Sequence, residues 1–256
     1  MKTQMMLFST PNSGSDWFAA ALLAGNPNQK YFREFFNPIT NDKYIDALLP
    51  GFGCEFISSY KNIARLDHKL CEQIYEETWG RENFDFTKEN YSVFKIPFFI
   101  EKFRGIAITR QIENSFPARR RNEVYWWYEC IYNSMVENIE TLPKSTKRLI
   151  EISQKTLSSS IIQRILMGSY IYQKALINYC NEYEIPIIKW ESLMHDDSQK
   201  VIQTLLDIPY SYELDIEAIT RYVLGTRKMT DKNFNRYNFH PKYHLRNLEN
   251  GTNVLI

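Results

Sequence analysis

Apolar positions along this chain fall into short continuous runs separated by longer stretches of helical period. Residues 5–9 are such a run, bounded by Pro11 and Gly14, and predict a strand buried on both faces. Trp17, Ala20, Ala21 and Ala24 then recur at helical spacing, with Phe18 and Leu22 widening the apolar face. They predict a helix over 14–24, stopped by Gly25, Asn26 and Pro27. Residues 28–90 are less regular, rich in aromatic clusters, with helices predicted near 41–49 and 67–78. Strands are predicted at 92–96, 105–109 and 185–189, and helices at about 121–140, 157–183, 196–206 and 215–223. Strands alternating with helices imply a parallel sheet covered on both faces. The expected fold class is therefore α/β, a three-layer α/β/α arrangement in a single domain spanning 1–256. The order of the strands is not legible.

Composition narrows the function. The 44% hydrophobic and 24% charged fractions are those of an ordinary globule. Thirty-one basic against thirty acidic residues leave a net charge of +1, which argues against a general nucleic-acid or membrane-surface binder. No apolar run approaches the roughly 20 residues of a membrane span. The first eight residues lack the longer apolar core and small-residue cleavage site of a signal peptide and read as a strand. Four scattered cysteines form no CxxC pair, and the four histidines are scattered too, so no metal is expected. Free thiols in a reducing compartment, the cytoplasm, are the simple reading.

The candidate chemistry begins at the first strand–turn–helix. The turn carries Ser13, Gly14 and Ser15 just before a helix start, where free amides and the helix dipole favour an anion. The plainer alternative is that Ser15 and Asp16 merely cap the helix. The GxxxxGK[ST] pattern of nucleotide kinases is absent. The segment does resemble the loop Pro-Lys/Arg-Ser-Gly-Ser/Thr-Thr-Trp of sulfotransferases, which binds the 5′ phosphosulfate of PAPS (3′-phosphoadenosine 5′-phosphosulfate). Pro11, Ser13, Gly14, Ser15 and Trp17 match it. Asn12 stands where that family carries a base, and Asp16 where it carries Thr; both changes weaken an anion site electrostatically.

Further segments follow in the family's order between residues 5 and about 235. Glu34, set between Phe32 and Phe35, matches the general base of sulfotransferases resembling the trehalose enzyme. A carboxylate in apolar surroundings suits that role. Lys95, in Val93-Phe94-Lys95-Ile96-Pro97, matches a lysine near the transferring sulfuryl group, and could supply the charge that Asn12 does not. Arg110, after the strand at 105–109, and Ser115 resemble the pair that holds the 3′ phosphate, although Ser115 follows at a shorter interval than in the family. The run 185–194, with Lys189-Trp190-Glu191-Ser192-Leu193, and the later Leu206-Asp207-Ile208-Pro209 resemble the family's strand and acidic helix-capping turn. Arg227 and Lys228 resemble its basic nucleotide-closing loop, with Met229 in place of the usual Gly.

The resemblance implies a phosphate-loop sulfotransferase fold with PAPS as donor and no metal. The acceptor would be a hydroxyl or amine of a small molecule or carbohydrate. The loop 12–17 would hold the 5′ side, Arg110, Ser115, Arg227 and Lys228 the 3′ phosphate, and Glu34 and Lys95 would act on the reacting groups. Two alternatives stay open: a nucleotide- or anion-binding module without turnover, and a nucleotide kinase. The aromatic run 125–128 reads as core, or as the wall of an acceptor pocket.

Overall fold

The computed structural model describes residues 4–11, 13–33, 63–77, 79–82, 84–112, 125–156, 161–208 and 213–230. Among the described residues, five strands form one sheet: β1 (Met5–Ser9), β2 (Tyr31–Arg33), β3 (Phe86–Glu89), β4 (Arg104–Thr109) and β5 (Ile187–Lys189). Their order is β2-β3-β1-β4-β5, and every pairing is parallel. The helices are α1 (Ser15–Gly25), α2 (His68–Glu77), α3 (Trp79–Glu82), α4 (Ile96–Lys102) and α5 (Tyr125–Glu137). After them come α6 (Lys144–Thr156), α7 (Ile161–Glu182), α8 (Trp190–His195), α9 (Ser198–Leu206) and α10 (Ile216–Thr230).

Alternation along the central strands divides the core in two. Met5 and Leu7 of β1, with Ile106 and Ile108 of β4, pack against Phe18 and Leu22 of α1, Val201 and Leu205 of α9, and Ile219 and Val223 of α10. Met6, Phe8 and Ala107 face the other way, onto a more aromatic layer: Trp79, Phe94, Phe99, Phe103, Tyr128 and Tyr172. Both faces are covered by helices, as continuous apolar strands require. The α/β class with a parallel sheet is therefore observed.

One strand lies elsewhere than its pattern predicted. Residues 92–96 are not extended: Val93–Lys95 form a 3₁₀ turn that runs into α4, with Pro97 in the first helical turn. Proline lacks an amide hydrogen and is tolerated there, so it favours a helix start over a strand. The strand instead is Phe86–Glu89, whose backbone pairs with β1 on one side and β2 on the other although its sequence is mostly polar. The apolar test missed it because Thr87, Lys88 and Glu89 are buried polar residues. The predicted helix at 41–49 lies outside the described residues.

Candidate functional site

Strand order fixes where a ligand can sit. From β1 the chain crosses toward β2, while from β4 it crosses toward β5 on the opposite side. The carboxyl ends of adjacent strands β1 and β4 therefore flank a topological switch point, the crevice where open α/β sheets bind ligands. The turn 10–14 leaves β1 there, and Arg110 leaves β4 beside it.

The turn is built for close approach. The amide of Ser13 donates to the Thr10 carbonyl at 3.1 Å, and Gly14 follows with φ 93° and ψ 7°. This is left-handed backbone that favours glycine. A Cβ on Gly14 would also stand 2.0 Å from Cε3 of Trp190, so the turn lies directly on the indole. The N-cap position of α1 is Gly14, which offers no side-chain cap, and Asp16 stands in the first turn. The first-turn amides of a helix lack intrahelical acceptors, so this helix start presents an uncapped positive end. The reading of Ser15 as a simple cap is thereby set aside: its hydroxyl donates instead to Oδ1 of Asn90 at 3.1 Å, an oxygen that also accepts from the Ser9 hydroxyl. The hydroxyl of Ser13 is buried and has no hydrogen-bond partner among the described residues, a state that costs roughly 1–3 kcal/mol unless a ligand or water satisfies it. On the opposite side, the Tyr128 hydroxyl donates to the Pro11 carbonyl at 2.5 Å and holds the turn down.

Charge enters from β3. Lys88 Nζ lies 2.6 Å from Oδ1 of Asp16, in the first turn of α1, with the lysine side chain fully buried and that of Asp16 63% exposed. The register Leu7↔Lys88 puts this lysine on the α1 face of the sheet. Lys95 sits on the other face, beside Ile63 and Cys71, and its Nζ donates to the Ile63 carbonyl at 3.1 Å. Burial lowers its pKa to about 8, against the opposing pull of Cys71 and Glu89. Burial likewise pushes the Cys71 thiol up to about 11.

Around the indole of Trp190 the loop, β4 and α10 meet. The Arg110 guanidinium lies over the ring at 5.3 Å, and Trp17 meets it edge-on at 5.7 Å. Trp17 Nε1 in turn donates to Thr226 Oγ1 at 2.8 Å. The Arg110 carbonyl accepts from Gln173 Nε2 at 2.8 Å, and the next amide, of Gln111, donates to Glu191 at 2.9 Å.

Of the residues singled out from sequence, Gly14, Trp17 and Arg110 thus meet at the Trp190 indole, while Ser15 reaches Asn90 and Asp16 reaches Lys88. Lys95 lies at the same sheet edge on the opposite face, in a 3₁₀ turn rather than at a strand end. Arg227 and Lys228 are inside α10, not in a loop after it, and directly follow Thr226. Asn12, Glu34 and Ser115 lie outside the described residues. Sequence reasoning missed Lys88 and Asn90, and gave Trp190 and Tyr128 no place at the loop. With the strand placed at 92–96, Lys88 and Asn90 read as loop, although a Lys-Glu-Asn run after Phe86 was the available signal. Among the described residues, no group of three or more His, Cys, Asp or Glu could hold a metal, and no helix is long and apolar enough to cross a membrane.

The fold and site define an α/β protein with a glycine-turned loop at the switch point of a parallel sheet. The chain matches no family model, no curated protein and no solved structure.

Proposed function

We propose that this chain is a PAPS-dependent sulfotransferase of the phosphate-loop type, acting in the cytoplasm on a hydroxyl or amine of a small molecule or carbohydrate. The observation that carries the reading is the buried, unpartnered Ser13 hydroxyl, set between the left-handed Gly14 turn and the uncapped start of α1. Such a turn offers amide and hydroxyl donors to a phosphosulfate in place of water. Arg110, whose guanidinium lies over the Trp190 ring at 5.3 Å, carries a planar fork suited to the 3′ phosphate, with Ser115, Arg227 and Lys228 as its companions.

In this reading the acceptor oxygen attacks sulfur in line. The new O–S bond forms as the bond from sulfur to the 5′ phosphate oxygen breaks, PAP (3′-phosphoadenosine 5′-phosphate) leaves, and the acceptor proton passes to Glu34. Lys95, with its pKa near 8, stabilises charge on the leaving oxygen. No metal is part of the scheme.

Calorimetry with PAP and with Mg-ATP on the full chain tests it. PAP is expected to bind and Mg-ATP to bind far more weakly; Arg110→Ala is expected to weaken PAP at least about tenfold, the loss of one charge-assisted contact. Failure of PAP to bind overturns the reading. A second reading, an anion-binding module without turnover, is favoured by the Asp16 carboxylate at the loop. PAP binding without sulfuryl transfer from PAPS to any of a panel of sugars, phenols and amines selects it.

A further inference from the structure

We infer that Lys88 is the cation of this anion site and that Asp16 is a stand-in ligand, a carboxylate that an incoming phosphate or sulfate group displaces. The inference rests on the reading of the loop as an oxyanion site, but not on the identity of the nucleotide. Residues 10–17 contain no lysine or arginine, so any full positive charge at the turn must come from another element. Lys88 reaches it from β3, its Nζ 2.6 Å from an Asp16 oxygen.

The two halves of this pair are unequal. Lys88 is wholly buried, and a buried ammonium needs an anion beside it. Asp16 is mostly exposed, so its carboxylate can return to water at small cost. A phosphate or sulfate that takes its place keeps Lys88 compensated. It also brings oxygens that can use the uncapped start of α1 and the Ser13 hydroxyl, which the Asp16 contact leaves unpaired. Binding at the loop is therefore an exchange of anions on Lys88, and Asp16 sets a threshold that a weak competitor does not cross. This gives Asp16 a selective role and places the missing loop cation on a strand.

The test is titration of inorganic pyrophosphate and of PAP, separately, into the full chain by calorimetry, for wild type, Asp16→Asn, Lys88→Met and the double variant. Asp16→Asn is expected to bind pyrophosphate about tenfold more tightly, the loss of one competing charge contact. Lys88→Met is expected to weaken it at least tenfold, and Asp16→Asn to bring no gain in the Lys88→Met background. Circular dichroism checks that the Lys88 variants fold. Where they do not, Asp16→Asn decides, together with a larger thermal stabilisation by pyrophosphate than in wild type. Equal or weaker pyrophosphate binding by Asp16→Asn, when wild type binds, overturns the inference while the loop reading survives. A tenfold gain for pyrophosphate without any PAP binding upholds it and defeats the sulfotransferase reading. No binding of either anion by wild type or Asp16→Asn defeats both.

Discussion

Two lysines stand at the same edge of the sheet on opposite faces, and their surroundings treat the charge in opposite ways. Lys88, under α1, is met by a carboxylate at 2.6 Å. Lys95, in the aromatic layer, donates a hydrogen bond to the Ile63 carbonyl, and burial draws its pKa down to about 8 despite Cys71 and Glu89. A paired cation serves as a fixed electrostatic anchor; one with a weakened hold on its proton suits proton or charge transfer. The α1 face thus carries an ion pair, whereas the aromatic face combines a lysine of lowered pKa with the bulk of the large-side-chain core.

The strongest way to break that division is Trp79→Ala. Trp79 is buried and meets Phe99 and Phe103 edge-on, so its removal is expected to cost about 3–5 kcal/mol in urea unfolding. PAP affinity of the folded fraction should stay unchanged, and a tenfold fall in affinity would show that the two faces are not separable. Next comes Gly14→Ala, which adds a methyl where Trp190 already stands and forces a left-handed residue to carry a side chain. A loss of about 2–4 kcal/mol is expected, from strain and overpacking together, with anion binding abolished.

Lys95→Met sharpens the other half. The folded pKa lies below the ordinary 10.5, so between about 8 and 10.5 the unfolded chain holds more protons than the folded one. The Lys95 contribution to stability should therefore rise with pH through that window, opposed above about pH 9 by the Cys71 thiol, which burial pushes up to about 11. The methionine variant is expected to remove that rise in unfolding experiments at stepped pH, and to lower sulfuryl transfer. The smallest effect should come from Trp17→Phe, which loses the bond to Thr226 and costs about 1 kcal/mol, read from the shift in urea midpoint.

Where apolar periodicity and burial agree, the fold was legible from sequence: β1, α1, β4, α7 and α9 fall close to their predicted positions. It failed where burial is polar. β3 is hidden because Thr87, Lys88 and Glu89 are polar residues in interior positions, which no hydropathy pattern encodes. The helix α6 was overlooked because only Thr146, Ile150 and Ser153 mark its buried face, and two of these are hydroxyl residues. For the site, the loop residues and Arg110 were legible because each follows a strand directly. Lys88 and Trp190 were not, because their roles arise from register and stacking between segments far apart in sequence. The resemblance supplied roles for individual residues, but it offered no counterpart for an ion pair between the loop and β3.

Tyr128 carries a consequence of another kind. Its hydroxyl fastens the Pro11 carbonyl from 117 residues away, and its own carbonyl oxygen would lie 2.3 Å from a Cβ at Gly168 of α7. The height of the turn above the sheet is thus set by how closely two helices lie against each other. A single methyl at position 168 would act as a wedge, lifting α5 and tugging on Pro11 from a distance. The loop is in this sense a hanging part, suspended from the helical layer behind it, and its position can be tuned from a place remote from the turn itself.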